Sequence, residues 1–160
     1  MPASVSQSDV ARVALGLLAR REYTRKQLTQ KLQRRFSEPD QQGWIEAVLE
    51  DFVNRGYLSD ARYLEIALRQ HLEQGHGPLR IQAALREKGL AEADITAALE
   101  AVEVDWSLQD AETRHRRFKE LPTDQKEKAR QLRFLQYRGF TMAQCLSAMK
   151  ALADDSSNLP

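Results

Sequence analysis

A pattern of apolar residues and glycines recurs about every 50 residues along this chain, and this repeat constrains the fold more than any other feature. Segment 85–90 aligns with segment 135–140 at an offset of 50, which places Gly89 opposite Gly139. The next apolar positions keep that offset: Ile95, Ala98, Leu99 and Val102 align with Cys145, Ala148, Met149 and Leu152. At an offset of 53, Leu28 and Leu32 align with Ile81 and Leu85. Repeats of this length indicate an array of modules that pack on their neighbours.

Within each repeat the apolar spacing is helical. The apolar residues between Val10 and Leu18 lie on one helical face, and no segment of the sequence shows sustained strand alternation. Thr24 with Gln27 forms a capping box that starts a second helix, and Gly56 ends a third. We therefore predict an all-α fold of three tandem three-helix modules, with about nine helices in a curved, elongated, solenoid-like arrangement. The predicted modules are residues 1–58, 59–104 and 105–153, followed by a disordered tail at 154–160.

The net charge of +1 conceals a separation of charge along the chain. The first predicted module carries a formal charge of +2, the second −3, the third +4 and the tail −2. Basic ends on either side of an acidic middle suit an extended binding protein better than a compact enzyme. Three solvated helical surfaces of mixed charge would give the same pattern, and this alternative stays open at the level of sequence.

Residues that support catalysis or metal binding are sparse. The single cysteine, Cys145, falls on the apolar face of the last helix, where a buried thiol is expected rather than a nucleophile. His71, His76 and His115 are too scattered for a metal motif, so we predict no enzyme activity, no metal and no cofactor. The sequence has no apolar run long enough for a membrane span and no signal-peptide pattern at its start, so we expect a cytoplasmic protein.

Two stretches concentrate positive charge around aromatic residues. Residues 20–35 contain seven Lys or Arg and one acid, and residues 114–138 contain nine Lys or Arg and three acids. Such a face can follow a phosphate backbone, or it can meet an acidic protein surface. No helix combines the Asn, Gln and Arg residues typical of base readout, so we favour sequence-independent contacts. The candidate residues for DNA or filament binding are Arg20, Arg21, Arg25, Lys26, Arg34, Arg35, Arg116, Arg117, Lys119, Lys126, Lys128, Arg130, Arg133 and Arg138.

Five motifs give the chain a family resemblance. They are LLARREYTRKQL at 17–28, GYLSDARY at 56–63, GHGPLRI at 75–81, LREKGL at 85–90 and FLQYRGF at 134–140. These motifs resemble those of the RecX family, and the resemblance extends over about residues 8–152. Its most specific part lies in the middle module. Ser59 stands where the family often has Asp, and either residue caps a helix.

The resemblance implies a regulator of the RecA recombinase, built as a curved array of nine helices. It implies binding to RecA filaments on DNA and restraint of ATP hydrolysis, strand exchange and RecA co-protease activity, and thus roles in DNA recombination, DNA repair and the SOS response. The expected partners are the RecA filament and single- or double-stranded DNA, bound without sequence preference by a monomer away from membranes. The alternative is a sequence-independent DNA-binding protein that acts without a protein partner.

The middle module is net acidic, so we expect its loop at 75–78 to serve a protein partner rather than DNA. A loop bounded by glycine lets another backbone approach closely, and Arg80 can donate two hydrogen bonds to one carboxylate. Since the resemblance implies RecA as that partner, the candidate contact residues are His76, Arg80, Arg86 and Lys88. The alternative is that the glycines only permit the turn and that Arg80 pairs with Glu73 or Glu87.

Overall fold

The computed structural model describes residues 4–156, with side chains for residues 4–150. In this part of the chain nine α-helices form three successive groups of three, and there is no strand. The first group contains α1 (Gln7–Leu18), α2 (Arg25–Arg35) and α3 (Gln42–Asn54), with a short 3-10 turn at Pro39–Gln41. The second contains α4 (Asp60–Glu73), α5 (Pro78–Glu87) and α6 (Glu92–Ala101). The third contains α7 (Trp106–Phe118), α8 (Gln125–Tyr137) and α9 (Met142–Ser156), so the predicted fold class is confirmed.

Local capping interactions explain where these helices begin. The N–H of Gln27 donates to the Thr24 hydroxyl at 3.1 Å, and the N–H of Thr24 donates to the Gln27 side chain at 3.1 Å. Thr141 and Gln144 make the same pair of hydrogen bonds at the start of α9, at 3.0 and 3.1 Å. Each box satisfies two backbone donors that the first helical turn leaves free. A Thr followed three residues later by a Gln predicts a capping box at Thr24 and at Thr141, and both boxes are confirmed.

Each module has an apolar core of its own. The fully or almost fully buried residues at the centres of the cores are Leu28, Leu32 and Leu49 in the first module, Ile81, Leu85 and Ile95 in the second, and Leu135, Phe140 and Cys145 in the third. The repeat aligns several of these positions with one another. Trp106, at the start of α7, packs against both the second and the third core. It therefore links two cores that are otherwise separate.

The modules are joined by a contact that occurs at both junctions. At the first junction the hydroxyl of Thr24, before α2, donates to the carbonyl of Lys88, after α5, at 2.5 Å. At the second junction the N–H of Gly77, before α5, donates to the carbonyl of Arg138, after α8, at 2.8 Å. In both cases the loop before a module's second helix lies against the turn after the second helix of the next module. The repeat therefore includes the way the modules pack on each other.

Glycine is required on both sides of the second junction. Gly139 has a φ of +102°, and a Cβ there would overlap the backbone and Cβ of Arg80. A Cβ on Gly77 would overlap the carbonyl group of Gly139. The glycine-bounded loop does admit another backbone, as expected, but that backbone belongs to the third module of the same chain and not to a separate partner.

Two features depart from the expectations. The sequence spacing predicts an apolar face of Tyr63, Ile66, Ala67 and Leu68 on α4, whereas the residues that the structure buries there are Leu64 and Leu68. Tyr63 packs against the second core while partly exposed. Together with Ile66 it also lines a cavity of about 360 Å³ where the first two modules meet, since α4 faces both its own module and the preceding one. Helix α9 continues to Ser156, past the expected start of the tail at residue 154, and residues 157–160 lie outside the described residues.

Candidate nucleic-acid and partner-binding surfaces

The basic stretch of the first module forms an exposed surface at the end of α1 and along α2. Arg20 and Arg35 line one shallow cavity of about 320 Å³ together with Arg12. Arg21 lies over the ring of Tyr23, with its guanidinium carbon 4.4 Å from the ring centroid. This cation–π contact orients the charge without neutralising it. The described residues provide no acidic ion-pair partner for Arg20, Arg21, Lys26, Lys31, Arg34 and Arg35.

Arg25 differs from the other predicted contact residues of this surface. Its guanidinium donates to the carboxylates of Glu46 and Glu50 on α3, the second at 3.1 Å, and its backbone N–H donates to Asp60 at 2.8 Å. The hydrogen bond with Glu50 is the main cause that raises the pKa of Arg25. Arg25 therefore ties α2 to α3 and to the start of α4, and its charge is largely committed to those contacts.

Positive charge in the third module surrounds two packed aromatic rings. Phe118 at the end of α7 and Phe134 on α8 meet edge to face, with ring centroids 5.3 Å apart. The guanidinium carbons of Arg117 and Arg130 lie 5.0 and 5.2 Å from the Phe118 centroid. Arg130 also forms an ion pair with Glu127 at 3.2 Å. The described residues place no acidic ion-pair partner beside Arg116, Arg117, Lys119, Lys126, Lys128, Arg133 and Arg138.

Arg138 lies half-buried at the second junction. Its guanidinium donates to the carbonyl of Gln74, and its Nε is buried without a hydrogen-bond partner in the described part of the chain. Burial, together with the nearby charges of Arg80 and Arg116, lowers the pKa of Arg138. Three guanidinium groups from the second and third modules are therefore near one another at this junction, a cluster that the sequence did not predict.

The loop at 75–78 does not present its histidine to solvent. The side chain of His76 is 5% exposed, and its Nδ1 lies 2.7 Å from Nδ1 of His71. Burial, reinforced by the positive charge of Arg80, lowers the pKa of His76 to about 4, so the ring is neutral at pH 7. Because the third module covers this loop, His76 is not accessible to a separate protein while the junction is closed. The expectation that His76 lies on an open contact surface is therefore corrected.

The other three candidates of the middle module have different surroundings. Arg80 pairs with neither Glu73 nor Glu87, and its guanidinium carbon lies 5.7 Å from the ring centroid of Tyr137. Arg86 is exposed and donates two hydrogen bonds to the carboxylate of Glu92, at 2.7 and 2.8 Å. The carbonyl of Lys88 takes part in the first junction, as described above.

Sequence reasoning missed a buried polar cluster in the third module. Asp110, Arg114 and Gln131 are each at most 2% exposed, and the guanidinium of Arg114 donates to the carbonyl of Glu120 at 3.0 Å. Burial raises the pKa of Asp110 to about 6 and that of Cys145 to about 12. The Cys145 thiol is therefore protonated at pH 7 and unsuited to act as a nucleophile. In the sequence, Arg114 looks like one more member of the basic stretch, and only the spacing of four from Asp110 hints at a shared helix face.

Other chemistry is limited in the described region. No group of three or more His, Cys, Asp or Glu side chains there is arranged to hold a metal ion. No helix of residues 4–156 is long and apolar enough to cross a membrane. What these residues do offer is a pair of basic surfaces, one on each end module.

Comparison with protein families gives three matches, each to a model of one three-helix domain of RecX. The model of the first domain matches residues 12–50, that of the second matches residues 59–99, and that of the third matches residues 109–149. The matched segments follow the order of the three modules and together account for most of the chain.

Individual proteins agree with the family models. The chain is 42% identical to Regulatory protein RecX of Halorhodospira halophila over 159 residues, 99% of this chain and 97% of that protein. It is 46% identical to Regulatory protein RecX of Pseudomonas tolaasii over 134 residues, 83% of this chain and 84% of that protein. The crystal structure of RecX from Lactobacillus salivarius has the same fold, with a TM-score of 0.75 and 21% identity over 92% of this chain and 96% of that one. The chain therefore belongs to the RecX family of regulatory proteins.

Proposed function

We propose that this protein is a negative regulator of RecA that binds RecA–DNA filaments and restrains ATP hydrolysis, strand exchange and co-protease activity. The observation that carries the proposal is the match to all three RecX domains in order, at residues 12–50, 59–99 and 109–149. On this proposal the protein acts in the cytoplasm as a monomer, away from membranes. It takes part in DNA recombination, DNA repair and the SOS response without a catalytic site or cofactor of its own.

The modular build supports binding to a filament. A compact module of 50 residues is about 25 Å across, so three in tandem reach farther than one compact domain of the same length. A filament repeats the same protomer, and contacts with several protomers at once raise the effective concentration of each further contact. A regulator of this kind then acts at a low ratio to its target. The three-module array is therefore well suited to a repeating partner.

The charge distribution supports contact with DNA as well as with protein. The first and third modules carry most of the cations that have no acidic partner among the described residues, and the second module is net acidic. We propose that the two end modules follow the phosphate backbone and that RecA contacts the middle module. Of its four candidate residues, Arg86 is exposed, Arg80 and Lys88 are partly buried, and His76 lies beneath the third module.

The proposal is tested by the rate of ATP hydrolysis by RecA on single-stranded DNA. We expect the wild-type protein to slow this rate when it is present at far fewer copies than RecA. The double variant Arg34→Glu/Arg35→Glu should inhibit less, because it reverses two unpaired charges on the first module. Arg69→Glu is the matched control, since Arg69 is an exposed cation that already has an acidic partner, Glu65. Unchanged hydrolysis at every ratio of wild-type protein to RecA would refute the proposal.

A second candidate function is sequence-independent DNA binding without a protein partner. The same two basic surfaces favour it, since they need only a polyanion. The two functions differ in stoichiometry. A simple competitor for DNA slows RecA only when it covers a large share of the DNA, and added DNA then relieves the inhibition. A filament regulator acts at a low ratio, and added DNA does not restore hydrolysis.

A further inference from the structure

Helix α8 carries a continuous exposed stripe that leads from positive charge to an aromatic ring. Lys126, Arg130, Arg133 and Tyr137 are spaced by four, three and four residues, and all four are exposed. This spacing places them on one helical face. At 1.5 Å per residue the stripe is about 16 Å long. Arg130 is paired with Glu127, so Lys126 and Arg133 supply most of its uncompensated charge.

The ring at the end of the stripe is both exposed and held in place. Tyr137 is 78% exposed, the largest exposure of any large apolar side chain in the described region. The guanidinium of Arg80, from the second module, lies over the ring with its carbon 5.7 Å from the centroid. Backbone hydrogen bonds across the second junction fix this arrangement: the N–H of Leu79 donates to the carbonyl of Gly139 at 3.0 Å. Folding thus maintains an open aromatic ring that contributes little to the core.

The surroundings of the ring are strongly positive. Arg80 packs against Gly139, next to Arg138, and the charges of Arg80 and Arg116 add to the effect of burial in lowering the pKa of Arg138. None of these three guanidinium groups has an acidic ion-pair partner among residues 4–150. A group of like charges without counterions inside the protein is stabilised by an anion from outside.

We infer that this surface binds single-stranded DNA, with an unpaired base stacked on Tyr137 and the flanking phosphates on Lys126, Arg133 and the junction arginines. An exposed ring beside a cationic track is the arrangement by which proteins hold single strands without reading their sequence. In a duplex, both faces of each base are already stacked, so the ring finds no partner there. An acidic protein segment would use the cations but would leave the ring without a role. The inference rests on the DNA contact in the proposed function, and it adds the strand form and the residue that selects it.

The test compares three labelled ligands of equal length without RecA: a 20-nucleotide oligo-dT, its duplex with oligo-dA, and a 20-nucleotide abasic strand. We expect Tyr137→Ala to weaken binding of the oligo-dT by about 5- to 100-fold, the range expected for loss of one stacked base. Binding of the duplex and of the abasic strand should change less than about twofold, because neither offers a free base face. Tyr137→Phe keeps the ring and should bind all three ligands as the wild type does. Circular dichroism and thermal unfolding of both variants establish that they are folded.

Several outcomes would overturn the inference. If Tyr137→Ala binds oligo-dT as tightly as Tyr137→Phe does, no base stacks on this ring. If Tyr137→Ala loses affinity equally for all three ligands, the residue does not select an unpaired base. If poly-glutamate displaces oligo-dT at equal charge and also binds less tightly to Tyr137→Ala, the surface belongs to an acidic protein segment. The RecA hydrolysis assay tests the proposed function separately. If Tyr137→Ala still slows ATP hydrolysis by RecA, the proposed function stands even when this inference fails. A wild-type protein that binds none of the three ligands overturns this inference and the DNA contact together.

Discussion

At the scale of single residues, the buried carboxyl group of Asp110 has the clearest effect on stability. Its two oxygens are buried without a hydrogen-bond partner among the described residues. Burial raises its pKa from 3.8 to about 6, so the folded state binds this proton more tightly than the unfolded state does. The stabilisation by the protonated form is therefore complete below the unfolded-state pKa and is lost as the pH rises through the folded-state pKa. At pH 7 the ionised carboxylate opposes folding.

We therefore expect Asp110→Asn to raise the free energy of unfolding at pH 7 by about 1–3 kcal/mol, because the cost of burying this carboxylate exceeds its attraction to the neighbouring charge of Arg114. It should also remove the part of the pH dependence that lies between pH 3.8 and about 6. Urea unfolding followed by circular dichroism at several pH values measures both effects. Glu112→Gln, at an exposed position of the same helix, is the control and should change stability little. A less stable Asp110→Asn protein at pH 7 would contradict the prediction.

The histidine pair at the second junction gives a pH dependence of opposite sign. The folded-state pKa of His76 is about 4, below its ordinary value of 6.5, so the unfolded state binds this proton more tightly. The contribution of the neutral His76 ring to the free energy of unfolding is therefore fully present above the unfolded-state pKa. It is lost as the pH drops toward the folded-state pKa, by up to about 3 kcal/mol. His76→Asn in the Asp110→Asn background should flatten this decline, as measured by urea unfolding between pH 7 and 4. If stability declines as steeply in the Asp110→Asn/His76→Asn protein as in the Asp110→Asn protein, His76 is not the source of the decline.

At the scale of secondary-structure elements, the turns after α3 and α8 show two different reasons for glycine: a positive φ alone, and a positive φ together with close contact to another backbone. Gly56 has a φ of +77° with open space around it, whereas Gly139 has a φ of +102° and lies against the backbone of Arg80. Gly56→Ala should cost about 1–2 kcal/mol, because only left-handed strain is added. Gly139→Ala should cost about 1–3 kcal/mol more, because the methyl group also forces the junction apart. Thermal and urea unfolding of the two variants measure the difference, and equal losses would mean that the second junction contributes nothing to stability.

At the scale of the whole molecule, the distribution of unpaired cations predicts how DNA binding responds to salt. Each phosphate contact contributes about −0.9 to the log–log slope on duplex DNA and about −0.7 on a single strand. Replacing Lys31, Arg34 and Arg35 by Ala should therefore flatten the slope by about 2 to 3. Binding measured over a range of salt concentrations checks this value.

The matched control for that experiment is the triple variant Arg55→Ala, Arg69→Ala and Arg86→Ala. These three cations are exposed but are paired with Asp51, Glu65 and Glu92. Their removal should change the slope by less than about 1, because paired cations release few DNA counterions. If both triple variants flatten the slope equally, net charge alone governs binding and the basic surface of the first module has no specific part in it.

The interactions that could be predicted from the sequence are those between near neighbours in the chain. The capping boxes at Thr24 and Thr141 join residues three apart, and the glycines after α5 and α8 act on their own backbone. The apolar positions repeat because every module packs three helices of the same period around its own core. Fold class, helix starts and most of the buried apolar residues therefore follow from local patterns in the sequence.

The contacts that could not be predicted join residues far apart in the chain. Arg80 and Tyr137 are on different modules, and nothing in either local sequence indicates that they meet. The loop at 75–78 looks open in the sequence, but Gly139 occupies the space that its glycines create. Arg114 looks like a surface cation, yet the packing of α7 buries it beside Asp110. The physical reason is the same in each case: helical periodicity specifies which face of a helix is apolar, whereas the accessibility of a polar side chain depends on which module packs against it.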